Sequence, residues 1–78
     1  MFFVYVLRSE KDGRLYKGLT QDLEKRLSQY NKGENTSTKG FCPWKLVHQK
    51  SFGTRTEARA YEKYLKSGIG RAFLKEIV

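Results

Sequence analysis

The chain opens on a seven-residue stretch, Met1 to Leu7, that is apolar or aromatic on both alternating faces. Phe2, Val4 and Val6 fall on one face and Phe3, Tyr5 and Leu7 on the other. Such a strand must be covered above and below, so it is expected at the centre of a sheet. Polarity returns at Arg8-Ser9-Glu10. Asp12-Gly13 is a turn signal, and Arg14-Leu15-Tyr16 comes back as an antiparallel partner. Two registers are open. A two-residue Asp12-Gly13 loop pairs Lys11 with Arg14, and a four-residue loop over 10–13 pairs Ser9 with Arg14. Either one puts Tyr5 and Leu7 on the face of Tyr16 and Gly18, because side chains alternate with period two. In the longer loop Gly18 lies opposite Tyr5, where the missing side chain leaves room for a ligand backbone. A bulge or a strand end accounts for Gly18 equally well.

The period then changes from two to 3.6. Leu23, Leu27 and Tyr30 form one stripe of a helix from about Gln21 to Tyr30, with Thr20 as the expected N-cap and Asn31-Lys32-Gly33 as its end. Arg26 falls at the edge of that stripe, able to touch the sheet and still reach solvent. Gly33 to Pro43 is rich in Gly, Ser, Thr and Asn and reads as an exposed, mobile loop made basic by Lys32 and Lys39. Trp44 to Phe52 reads as a third strand with Trp44, Leu46 and His48 on one face. Thr54 and Glu57 form a capping box for a second helix reaching roughly Lys66, with Ala58, Tyr61 and Leu65 inward and Glu62 at the border. A last helix carries Ala72, Phe73, Leu74 and Ile77 at core-like spacing. The order strand, strand, helix, strand, helix, helix is that of an α+β fold: a small three-stranded antiparallel sheet flanked by helices on both faces.

Seventy-eight residues make one domain, 1–78. A chain this short buries only about 60–65% of the surface its unfolded form exposes, so the five Phe, five Tyr and one Trp must supply much of the core. The first seven residues are too few for a membrane span and have no basic head before them, so neither a membrane segment nor a signal peptide is expected. The net charge of +8 favours an anionic partner, nucleic acid first. Cys42 is the sole cysteine, so no internal disulfide is possible. No Cys/His cluster has zinc spacing, and both points fit a reducing cytoplasm.

Phosphate-binding glycine loops, dinucleotide fingerprints and nucleophile elbows are absent from the sequence. His48, the only histidine, has no catalytic motif near it and is expected to be a structural residue of an edge strand. What remains is two strand tyrosines, an arginine and a tyrosine on the first helix, and a carboxylate on the second. Phosphoryl transfer needs such groups: a cation for developing negative charge, a metal ligand and a proton acceptor for water. By spacing alone, core tyrosines and solvated charges explain the same residues.

The chain resembles a GIY-YIG nuclease domain over essentially its whole length, and in particular the small stand-alone bacterial members. Phe3-Val4-Tyr5 corresponds to the first motif and Tyr16-Lys17-Gly18 to the second, with ten residues between Tyr5 and Tyr16. Leu23-Glu24-Lys25-Arg26-Leu27, Tyr30-Asn31-Lys32-Gly33, Pro43-Trp44-Lys45-Leu46-Val47 and Leu65-Lys66-Ser67-Gly68 add to the likeness. The resemblance implies a catalytic set of Tyr5, Tyr16, Arg26, Tyr30 and Glu62, with Gly18 structural in the site. It implies one divalent cation, Mg²⁺ or Mn²⁺, on Glu62, and hydrolysis of phosphodiester bonds, in DNA first, by a structure-selective or weakly specific endonuclease of repair or recombination. Lys17, Arg26, Lys32 and Lys39 are the expected nucleic-acid contacts. The chain departs from the family pattern at Phe3 (glycine), at Lys17 (isoleucine) and at 70–74, where Gly-Arg-Ala-Phe-Leu holds no asparagine. Those departures and the charge keep an alternative in view: a nucleic-acid-binding module that retains the fold without turnover.

Overall fold

The computed structural model describes residues 1–36 and 38–77. Strand β1 (Phe2–Ser9) runs down the middle of the sheet between β2 (Leu15–Thr20) and β3 (Trp44–Phe52), antiparallel to both. Its two apolar faces demand that position. Val4, Tyr5, Val6 and Leu7 are each at most 2% exposed. Helix α1 (Leu23–Asn31) covers one face, where Tyr5 and Leu7 pack with Tyr30, Trp44, Leu23, Leu27 and Leu46. Helices α2 (Arg55–Leu65) and α3 (Gly68–Ile77) lie on the other, where Val4 and Val6 pack with Ala58, Leu65 and Leu74. The expected α+β architecture and element order are those observed.

The hairpin takes the longer loop. The Ser9 N–H donates to the Arg14 carbonyl (2.9 Å), the Gly13 N–H to the Ser9 carbonyl (2.8 Å), and Tyr5 pairs with Gly18. Gly13 sits at φ +80°, a conformation that costs glycine little. β1 extends past the expected Leu7 to Ser9. The Ser9 hydroxyl is buried but satisfied, donating to the Phe41 carbonyl at 2.6 Å and accepting from the Lys11 N–H at 3.1 Å.

Four expectations are corrected. Asp22, not Thr20, caps α1: its side chain accepts from the Lys25 N–H (3.1 Å), and the helix begins at Leu23. Thr20 ends β2 instead, its hydroxyl accepting from the Asp22 N–H (3.1 Å) in a local turn. Trp44, Leu46 and His48 do not share a face. A bulge at Val47 breaks the register, so Leu46 pairs with Leu7 and His48 with Val6. Trp44 and Leu46 therefore face α1, while His48 turns to Tyr61 of α2, its Nε2 lying 2.7 Å from the Tyr61 hydroxyl.

The 33–43 segment is tied down rather than loose. It contains a 3₁₀ turn, Lys39–Phe41, and a buried Thr38 whose carbonyl accepts from the Trp44 indole N–H (3.1 Å). The Cys42 thiol donates to the Tyr30 carbonyl (2.9 Å). The loop reading at Ser37 lies outside the described residues. In α3, finally, Leu74 is buried and Phe73 half-buried, but Ala72 and Ile77 are exposed. That helix packs mainly on α2 and is covered along one stripe only.

Candidate active site

Beta strands deliver Tyr5 and Tyr16 to the same sheet face, one on the central strand and one on the edge strand. Helix α1 crosses that face and contributes Arg26 and Tyr30, one turn apart. Tyr30 is 3% exposed and its hydroxyl lies 3.1 Å from that of Tyr5. Its ring packs on Tyr16, with centroids 5.2 Å apart, and on Tyr5, 6.2 Å apart. Gly18 makes this possible. A Cβ at Gly18 would run into the Tyr5 hydroxyl, so the missing side chain houses the Tyr5 ring on its way to Tyr30. The room at Gly18 is taken by the protein's own tyrosine, not left for a ligand.

The second helix closes the site from the other side of β2. Glu62 faces a cleft of about 330 Å³ that is also lined by Tyr5, Tyr16, Lys17, Gly18, Arg26 and Tyr30. All seven of those sequence-identified residues thus come together. Lys32 and Lys39 do not line the cleft. Lys32 caps the C-terminus of α1, and Lys39 starts the 3₁₀ turn and packs near Gly33. Three charged lining residues were missed, Arg55, Arg59 and Lys66, along with the apolar Leu19. With Glu62 the three charged residues recur every three or four positions along α2, so one helical stripe carries them, a signal readable in the sequence.

The charge balance is one-sided: Lys17, Arg26, Arg55, Arg59 and Lys66 against Glu62. Glu62 is engaged by the Lys66 ammonium at 3.4 Å, a long and solvent-accessible pair of little energetic weight. Burial raises the Tyr5 pKa, although the Tyr30 hydroxyl and the Arg26 cation pull it down. Burial, reinforced by the Tyr16 and Tyr5 hydroxyls, pushes Tyr30 far up. Both phenols stay protonated at neutral pH and serve as hydrogen-bond groups, not bases.

Among the described residues no three His, Cys, Asp or Glu side chains gather into a metal cage. What the cleft offers is a single carboxylate beside tyrosine hydroxyls, an all-oxygen set. Hard cations accept such a set while keeping several waters. The residues therefore fit a divalent ion held largely by water and substrate oxygens.

The family model of the GIY-YIG catalytic domain matches residues 1–71. The chain belongs to the GIY-YIG family. That family is one of nucleases, generally dependent on a divalent metal. A UPF0213 protein of Staphylococcus saprophyticus is 38% identical over 76 residues, 96% of this chain and 92% of that one. A second, from Clostridium perfringens, is 42% identical over 67 residues, 85% of this chain and 71% of that one. The solution NMR structure of a UPF0213 protein from Bacillus halodurans superposes with a TM-score of 0.58 at 30% identity, covering 97% of this chain and 84% of that one. Lys17 falls in the cleft itself, and residues 70–74 fall where α3 meets α2. No helix is long and apolar enough to cross a membrane among the described residues.

Proposed function

We propose that the protein is a metal-dependent endonuclease that hydrolyses DNA phosphodiester bonds, structure-selective and serving repair or recombination in the cytoplasm. One observation carries the reading: Tyr5, Tyr16, Arg26, Tyr30 and Glu62 line a single cleft with four further cations and, among the described residues, no second carboxylate.

The residues divide the work by environment. The buried Tyr5–Tyr30 pair remains protonated and orients the phosphate and the attacking water. Tyr16, the half-buried member of the trio, positions the water and relays its proton, the phenol oxygen accepting it while the phenol's own proton passes to solvent. Arg26, exposed on α1, meets the phosphate with its two-pronged guanidinium and stabilises the charge that builds on it. Glu62 would hold a Mg²⁺ or Mn²⁺ ion, which when bound supplies Lewis acidity to the phosphate. Water oxygen bonds to phosphorus, one P–O ester bond breaks, and the departing alkoxide takes a proton from solvent. Lys17, Arg55 and Arg59 are the nucleic-acid contacts that the cleft favours alongside Arg26. Lys32 and Lys39 are left outside that set.

Incubation with branched, flapped and single-stranded DNA, and with matched RNA, in Mg²⁺ or Mn²⁺ tests the proposal. Cutting of DNA by the parent and not by Glu62→Ala is the expected result. No substrate cut faster by the parent than by Glu62→Ala would sink it. The charge imbalance favours a second reading, a binding module without turnover. It predicts salt-dependent DNA binding that survives Glu62→Ala, with no cutting by the parent.

A further inference from the structure

A lysine lies on a strand face that is otherwise apolar. Leu15 and Leu19 of β2 point into the core formed with α2 and α3, and Lys17 between them shares their face. Its stem is half-buried, and its head emerges in the cleft beside Lys66, the residue that caps the C-terminus of α2. Arg71 is brought against the end of α2, next to Lys66, for a packing reason. Gly70 is buried, and a Cβ there would run into the Tyr64 carbonyl oxygen and lie 2.6 Å from the Leu65 Cα. Only glycine lets α3 press onto the last turn of α2, and Arg71 follows at once, its N–H donating to the Ser67 carbonyl at 2.9 Å.

Burial, and then the Arg71 and Lys66 charges, lower the proton affinity of the Lys17 ammonium. The cleft's single carboxylate, Glu62, is engaged by Lys66. Two like charges converging on a half-buried ammonium oppose folding in the free protein. An anion reverses the sign of that interaction. An apolar side chain at 17 would suit its face better, so the lysine is misplaced for folding and well placed for a ligand.

We propose that Lys17, Lys66 and Arg71 form a second phosphate site, one that grips a further phosphate of the same nucleic-acid strand whose backbone meets Arg26. It rests on the reading of the cleft as a nucleic-acid site, and it assigns a purpose to the departure at position 17.

The test is equilibrium binding of a short flapped DNA duplex, with metal chelated so that nothing is cut, measured by anisotropy over a range of salt. The parent, Lys17→Met and Arg71→Gln are compared, together with their melting temperatures. Each variant is expected to bind about 3- to 10-fold more weakly at low salt and to flatten the log–log salt slope by about 0.9. Lys17→Met is expected to melt higher than the parent, which a lysine needed for structure would not do. Salt slopes equal to the parent's in both variants overturn the site, as does a parent that shows no salt-dependent binding. Arg71 is exposed on α3, so Arg71→Gln decides the matter if Lys17→Met does not fold. Since binding alone is read, a lack of cutting would sink the nuclease reading without touching this one.

Discussion

The Tyr5–Tyr30 hydroxyl pair is the most sharply constrained feature of the site, because both residues are almost wholly buried and each hydroxyl lies within reach of the other. Tyr30→Phe strands the Tyr5 hydroxyl and is expected to cost about 1–3 kcal/mol in urea unfolding. Adding Tyr5→Phe removes the stranded group and should recover most of that loss. A double variant weaker than Tyr30→Phe alone would contradict the account. Gly18→Ala drives a methyl group into the Tyr5 hydroxyl and should displace that ring, lowering both the melting temperature and any cleavage rate. At this scale the sequence was partly legible. Strand parity put Tyr5, Tyr16 and Gly18 on one face in either register. It could not say that the space above Gly18 is filled from within, because that depends on how far the Tyr5 ring reaches toward a helix 25 residues away.

Among the elements, α1 and α2 read most easily from the chain, and β3 least. Thr54 does cap α2, accepting from the Glu57 N–H at 3.2 Å. For α1 the sequence pointed to Thr20, but that hydroxyl is taken up in a local turn and the cap falls to Asp22. Asp22→Ala should therefore cost about 1 kcal/mol of stability, and a comparable loss in Thr20→Ala with none in Asp22→Ala would reverse the assignment. The bulge at Val47 has no glycine or proline to announce it, so the alternation through His48 misled. It brings the histidine under α2, with a consequence for pH. Burial, and then Lys50, lower the His48 pKa below its ordinary 6.5. The folded state then holds that proton less tightly than the unfolded chain. Its contribution to stability is complete above about pH 6.5 and is lost as pH falls through the lower, folded value. Unfolding free energies for the parent should decline on acidification from pH 6.5, and His48→Gln should remove that part of the decline. A slope unchanged by the substitution would show that His48 carries none of it.

The whole molecule places half of its site on one side of the sheet and half on the other. Tyr5, Tyr16, Arg26 and Tyr30 belong to the α1 face, Glu62 and its neighbouring cations to α2, and they meet across the edge strand β2. That meeting follows from β1 being central and β2 being short and at the border, both legible in the hydrophobic pattern. The stripe Arg55, Arg59, Glu62 and Lys66 was legible as well, but its importance depended on knowing which edge α2 overhangs. The same overhang gathers five cations around one carboxylate, so the cleft carries a net +4 of the chain's +8. A cleft so arranged commits the account to chemistry and not to binding alone. Single-turnover cleavage of the best-cut DNA flap, with Mg²⁺ or Mn²⁺, tests that commitment most directly when the parent is set beside Arg26→Ala and Tyr16→Phe. The account predicts rates lower by about 10²-fold or more in each variant, at protein concentrations that saturate binding. Equal rates in all three would contradict it.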